Sequence, residues 1–188
     1  MKTTMKTLVL LAVITIGSAF TNNEIERKEI KEGSITWTGK KILSSHEGTL
    51  DLKSGYFEME GDNLTGWMFV VDMTSLKNND LGGGSRANLE GHLKSQDFFN
   101  VAEFPTATLN IKGARKAGNT YKVMGDFTIK GITETVNFQI EMGESEATAT
   151  VTIDRTKYGI KYGSGDFFDD LGDKAISNNF DLNVMMKF

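Results

Sequence analysis

From Tyr121 to the C-terminus, apolar and polar side chains alternate almost residue by residue, and few folds accommodate such a pattern. Tyr121, Val123, Gly125, Phe127 and Ile129 lie on one face, against Lys122, Met124, Asp126, Thr128 and Lys130 on the other. After the turn "KGITE", Val136, Phe138, Ile140 and Met142 alternate with Thr135, Asn137, Gln139 and Glu141. Ala147, Ala149, Val151 and Ile153 then alternate with threonines. Finally Phe180, Leu182, Val184, Met186 and Phe188 alternate with polar residues, Met185 being the exception. A period of two is the signature of an antiparallel strand with one dry face and one wet face.

The first half repeats the pattern less cleanly. Ile35 and Trp37 form one apolar face. Gly48, Leu50 and Leu52 form the next, then Phe57 and Met59, then Trp67, Phe69, Val71 and Met73, and lastly Ala107, Leu109 and Ile111. Eight strands are expected, with the Leu50 and Phe57 pieces free to be one long bent strand. With 20 glycines and a single proline, the connections read as glycine turns. No helical period is long enough to cover a sheet face. Eight amphipathic strands without such a cover leave two solutions, a sandwich of two sheets or one sheet closed on itself. The 188 residues suffice for one domain with a core.

One long segment breaks the alternation, "LGGGSRANLEGHLKSQDFFN" (Leu81 to Asn100). It reads as a glycine loop followed by a short helix over about Leu89 to Gln96, capped by Asn88. A second short helix or turn is expected near Asp169 to Lys174.

The chain opens with "MKTTMKTLVLLAVITIGSAF". Lys2 and Lys6 precede an apolar run from Leu8 to Gly17, too short to span a bilayer, and small residues at Gly17 and Ala19 follow. This is the pattern of a secretory signal peptide cut near Ala19, which predicts an exported, periplasmic or secreted protein. Residues 20–33 are then a short N-terminal segment and residues 34–188 the folded domain. Losing Lys2 and Lys6 takes the formal charge from −4 to −6, which argues against nucleic acid as a partner. The absence of cysteine removes disulfides, thiolate metal sites and a lipid anchor through a cysteine.

Catalytic motifs are sparse. His46 and His92 stand far apart, without the spacing of a zinc site. "GGGSR" is neither a nucleophile elbow nor a phosphate loop. "DFFDDLGD" (Asp166 to Asp173) reads as a solvated loop. No catalytic residue, metal or cofactor is assigned. The inward faces mix small residues (Gly48, Ala107, Gly125, Ala147, Ala149) with large aromatics, so a filled bore and a vacant one are both open at this level.

The ordered blocks "SITWTGKK", "HEGTL", "HLKSQDFFNVAEFPTATL", "YKVMGDFTIKGITETVNF", "RTKYGIKYGSGDFF" and "AISNNFDLNVMM" resemble the YceI-like family. The most specific is the third, with His92, Leu93, Lys94, Ser95, Asp97, Phe98, Phe99, Pro105 and Ala107. The resemblance implies an eight-stranded antiparallel lipocalin-like barrel with one or two short helices. It also implies an exported carrier, often dimeric, with an isoprenoid (quinone or polyprenyl) or another long-chain amphiphile in its lumen. Transient contact with a membrane is compatible with that role. The resemblance is loosest at "LSSHEGTL", a compressed loop, and so implies least about the mouth. On this reading strand parity assigns Trp37, Leu50, Trp67, Phe69, Val71, Leu109, Phe127, Ile129, Phe138 and Ile140 to the lumen. Phe98 and Phe99 close one end, and Arg86 and Lys94 stand at the rim to meet a head group. The competing classes are a barrel with a filled core and a hydrolase-type enzyme using His46 or His92. The latter requires one histidine beside a carboxylate and facing an open pocket.

Overall fold

A computed structural model describes residues 24–188. The expected signal peptide lies outside the described residues. The strands are β1 (Ile25–Glu29), β2 (Glu32–Lys41), β3 (Ser45–Glu60), β4 (Asn63–Asn78), β5 (Thr106–Ala117), β6 (Thr120–Ile129), β7 (Ile132–Met142), β8 (Glu146–Asp154) and β9 (Ile176–Lys187). One helix, α1 (Gly83–Lys94), joins β4 to β5, and 3₁₀ turns occupy Arg155–Tyr158 and Gly172–Lys174. The sheet runs β2-β9-β8-β7-β6-β5-β4-β3, and β3 pairs back onto β2, so it closes. That removes the sandwich alternative and leaves no free edge in the ring.

Leu50 and Phe57 share the single long strand β3, which bends at register shifts against β4. β1 was not expected. It pairs Glu29 with Tyr56 of β3 in the same register that later pairs Ser34 with Asp51, so β1 and β2 are one barrel strand interrupted at Ile30 and Lys31. The barrel therefore remains eight-stranded, and its wall begins at Ile25, upstream of Ser34. Short charged alternation ("IERKE") hides this strand, whose residues are mostly exposed.

The helix starts at Gly83 rather than Leu89, and Asn88 lies inside it instead of capping it. Tertiary ties outweigh the entropic cost of the glycines. Asn78, buried at the end of β4, accepts from the Leu81 backbone N–H, and its own N–H donates to Glu90 on the helix. Arg86 Nε donates to the Leu81 carbonyl.

Strand direction separates two ends. The β3–β4, β5–β6 and β7–β8 turns lie at one end. The β2–β3 turn, α1, the β6–β7 turn and the long β8–β9 connection lie at the other. The β6–β7 turn has two central residues, Lys130 (φ 51°) and Gly131 (φ 75°). The positive φ at both is the primed hairpin geometry whose twist matches the flanking strands.

The end with the tight hairpins is filled. Phe57, Met59, Leu64, Tyr121, Val123, Ile140 and Ala147 are all buried there in one cluster. Tyr121 Oη donates to the Asp62 carbonyl at 2.6 Å, pinning the β3–β4 turn.

Candidate functional site: a half-vacant barrel

The helix end is hollow. A cavity of about 210 Å³ lies there, far more than the roughly 10–15 Å³ that a single water requires. Trp37, Leu50, Trp67, Phe69, Val71, Leu109, Phe127, Ile129 and Phe138 line it, and Leu89, Leu93, Phe98 and Phe99 stand over it from the α1 segment. The break in alternation is thus the chain crossing the hollow end. Ile140 is the exception among the lumen candidates. Its parity is right, but it is fully buried in the packed end, one inward step below Phe138, and does not line the cavity.

Burial along β9 traces the same boundary. Phe180, Leu182, Val184 and Met186 all line the cavity, and of these only Met186, nearest the packed end, is buried, the other three being half-buried. An aromatic plate divides the two regions. Trp67 stacks on Phe138 at 5.7 Å, Phe69 meets Trp67 edge-on at 5.1 Å, and Phe57 lies against both from the packed side at 5.4 Å.

Higher up, Trp37 is held against the wall instead of filling the bore. Its Nε1 donates to the Lys77 carbonyl at 3.1 Å, and its ring lies over Gly48. A Cβ at Gly48 would come within 2.6 Å of that ring and 1.8 Å of Lys77 O, so any side chain here displaces the tryptophan.

Polar groups sit only at the rim, and not where they were expected. Arg86 is spent on the Leu81 carbonyl at the start of α1, and neither Arg86 nor Lys94 lines the cavity. The rim instead carries Lys41, His46, Arg155, Ser177 and Asn179. Strand parity could have found three of them: Trp37–Gly39–Lys41, Leu50–Gly48–His46 and Val151–Ile153–Arg155 each continue an inward face to the end of its strand. The lumen assignment stopped at Trp37 on β2 and Leu50 on β3 and took no residue from β8, and so missed them. It also omitted Leu182 and Val184, although their alternation is plain.

His46 Nδ1 lies 2.7 Å from Asp80 Oδ2. Desolvation, the largest single influence, pushes the Asp80 carboxyl up. It is overcome by hydrogen bonds from His46, the Glu47 N–H and Asn78, and by the attraction of His46, which together hold it at about 2. Asp80 is therefore an acceptor at neutral pH, and His46 supplies the proton through Nδ1. A carboxylate lowered from 3.8 contributes stability that is complete above pH 4 and lost as pH falls through about 2. Asp80→Asn should accordingly flatten the acid limb of the stability profile between pH 4 and 2, read as urea midpoints. An unchanged limb would show that this latch carries no acid-sensitive stability. His92 plays no such part. Its ring packs against Phe98 at 5.1 Å and Tyr162 at 4.5 Å, and it does not line the cavity.

The family model described as YceI-like domain matches residues 27–188. A UPF0312 protein of Staphylococcus aureus (strain USA300) is 39% identical over 84 residues, covering 39% of this chain and 47% of that protein, so the match spans about half the length of this curated relative. Burkholderia cenocepacia BcnA superposes with a TM-score of 0.61 at 21% identity, over 82% of this chain and 94% of BcnA. A polyisoprenoid binding domain from Saccharophagus degradans gives 0.59 at 11% identity, over 87% and 97% respectively. The Campylobacter jejuni YceI protein gives 0.53 at 15%, over 100% and 93%. At these identities the structures testify to the fold.

Proposed function

The chain belongs to the YceI-like family, and on that premise we propose that it is an exported carrier whose hollow half holds an isoprenoid, quinone or polyprenyl, or another long-chain amphiphile. One observation carries the reading: an apolar cavity with an aromatic floor and polar groups only at its rim. The polyisoprenoid-binding description of the S. degradans domain supports the class of cargo. Each buried methylene contributes about 0.8 kcal/mol, so ten to twenty enclosed carbons give roughly 8–16 kcal/mol before ordering costs. Micromolar affinity needs only about 8 kcal/mol. The tail alone suffices, which fits an interior without catalytic groups. His46 meets the geometric condition for a base, with a carboxylate partner and a place on the cavity. Among the described residues, however, Asp80 is its sole hydrogen-bonding partner and no nucleophile is bound to it. We therefore read the chain as a carrier rather than an enzyme.

Loading fits a lipid surface. Ile42 and Leu43 at the β2–β3 turn are 63% and 76% exposed, and Phe167 and Phe168 on the β8–β9 connection are about half exposed, all at the hollow end. Such side chains flanking an apolar mouth suit transient contact with a membrane.

Organic extraction and native mass spectrometry of protein purified from its own host should release a long-chain amphiphile. Phe99→Ala should then lower affinity for that lipid about tenfold with little loss in urea midpoint, because Phe99 is half-buried over the bore. Protein that carries no lipid and binds no added isoprenoid would end the carrier reading.

A further inference from the structure

We propose that the rim binds an anionic head group, carboxylate or phosphate, between Lys41 and Arg155, so that the cargo is an acidic amphiphile. This rests on the carrier reading above and narrows it. Arg155 is 2% exposed yet lines the cavity. Its guanidinium donates to the carbonyls of Ser177 (2.9 Å), Ile160 (2.7 Å) and Ile176 (3.0 Å), three of its five N–H donors. No carboxylate pairs with it among the described residues. The adjacent Asp154 instead accepts from the Thr156 N–H and hydroxyl. A guanidinium stays charged, and a buried charge normally has a counter-ion.

Lys41 is the second cation. Lys40, its neighbour, points to the outer face and is paired with Asp181 at 2.9 Å. Lys41 follows Trp37 and Gly39 on the inner face and has no ion-pair partner among the described residues. The two cations meet at one residue. Lys41 lies opposite Ile176 in the β2–β9 ladder, and the Ile176 carbonyl is held by Arg155 Nη2. The opposite side of the mouth, from Leu89, Leu93 and Phe99, is apolar. A charged head would therefore settle on the β2–β9–β8 side, with its tail running down to the Trp67–Phe138 plate. The Arg155 N–H donors not spent on carbonyls suit an oxyanion.

The test compares tails of equal length with different heads on the delipidated protein at neutral pH. Farnesyl phosphate is set against farnesol, and dodecanoate against dodecanol, by quenching of Trp37 and Trp67. At least one anion should bind about 10–100-fold tighter than its alcohol, the range of one or two charge-assisted hydrogen bonds, and whichever pair shows the larger gap identifies phosphate or carboxylate as the head. High salt and Lys41→Glu should each erode the gap by weakening the anion more than the alcohol. Arg155→Gln should do the same if it folds. Should it not fold, the wild-type comparison and the exposed Lys41 site decide. Alcohols and anions binding equally, or a gap that survives Lys41→Glu, would overturn the proposal and leave Arg155 as a clamp on the β8–β9 connection. The carrier reading would stand in that case, since it falls only if neither head class binds.

Discussion

Ala149→Trp should cost the protein its cargo without costing it its fold. Ala149 faces inward on β8 between Ala147, which is buried in the packed end, and Val151. It is only half-buried itself because its free side is the cavity. An indole there would occupy the room of about four methylenes, or about 3 kcal/mol of tail burial, so affinity for a long-chain amphiphile should fall ~100-fold or more. The sign of the stability change is the sharper readout. In an interlocked core an added indole forces neighbours off their rotamers and costs about 1–3 kcal/mol. In a vacant bore it gains apolar burial and leaves the urea midpoint unchanged or higher. A marked drop in midpoint would mean that the bore closes in solution, and the carrier reading would lose its cavity.

That vacancy was the part of the structure that residue types alone could not supply. Alternation predicted the faces of β6 to β9 almost residue by residue, including the outward Met185, because one dry face and one wet face impose a period of two whatever the tertiary detail. It could not say at which height along the barrel an inward residue sits. Phe138 and Ile140 are neighbours on one face, yet the first is cavity wall and the second is plug. Height depends on strand register and tilt, which are set across the sheet rather than along the chain. β1 escaped for the opposite reason. It pairs on one side of β3 with little burial, so hydrophobic pattern carries no signal for it. At the rim the error lay in the criterion. A lumen search restricted to large apolar residues ends short of Lys41, His46 and Arg155, the inward positions where polar chemistry resides.

If the barrel divides its labour between its ends, a truncation in the packed end should behave in the opposite way to one over the mouth. Phe57 is fully buried, with Trp67, Phe69 and Phe188 rings within 5.4 Å of its own. Phe57→Ala removes a side chain surrounded on every side and leaves a void that those rings cannot close without breaking their own contacts. The expected loss is about 3–5 kcal/mol, a large share of the roughly 5–15 kcal/mol that holds an ordinary domain together, and is measurable as a large fall in urea midpoint at an unchanged slope. Lipid affinity of the folded fraction should change little, because the Trp67–Phe138 plate lies between Phe57 and the cavity. If Phe57→Ala weakened binding as much as folding, plate and plug would be one mechanical unit, and the bore would depend for its shape on the whole length of the barrel.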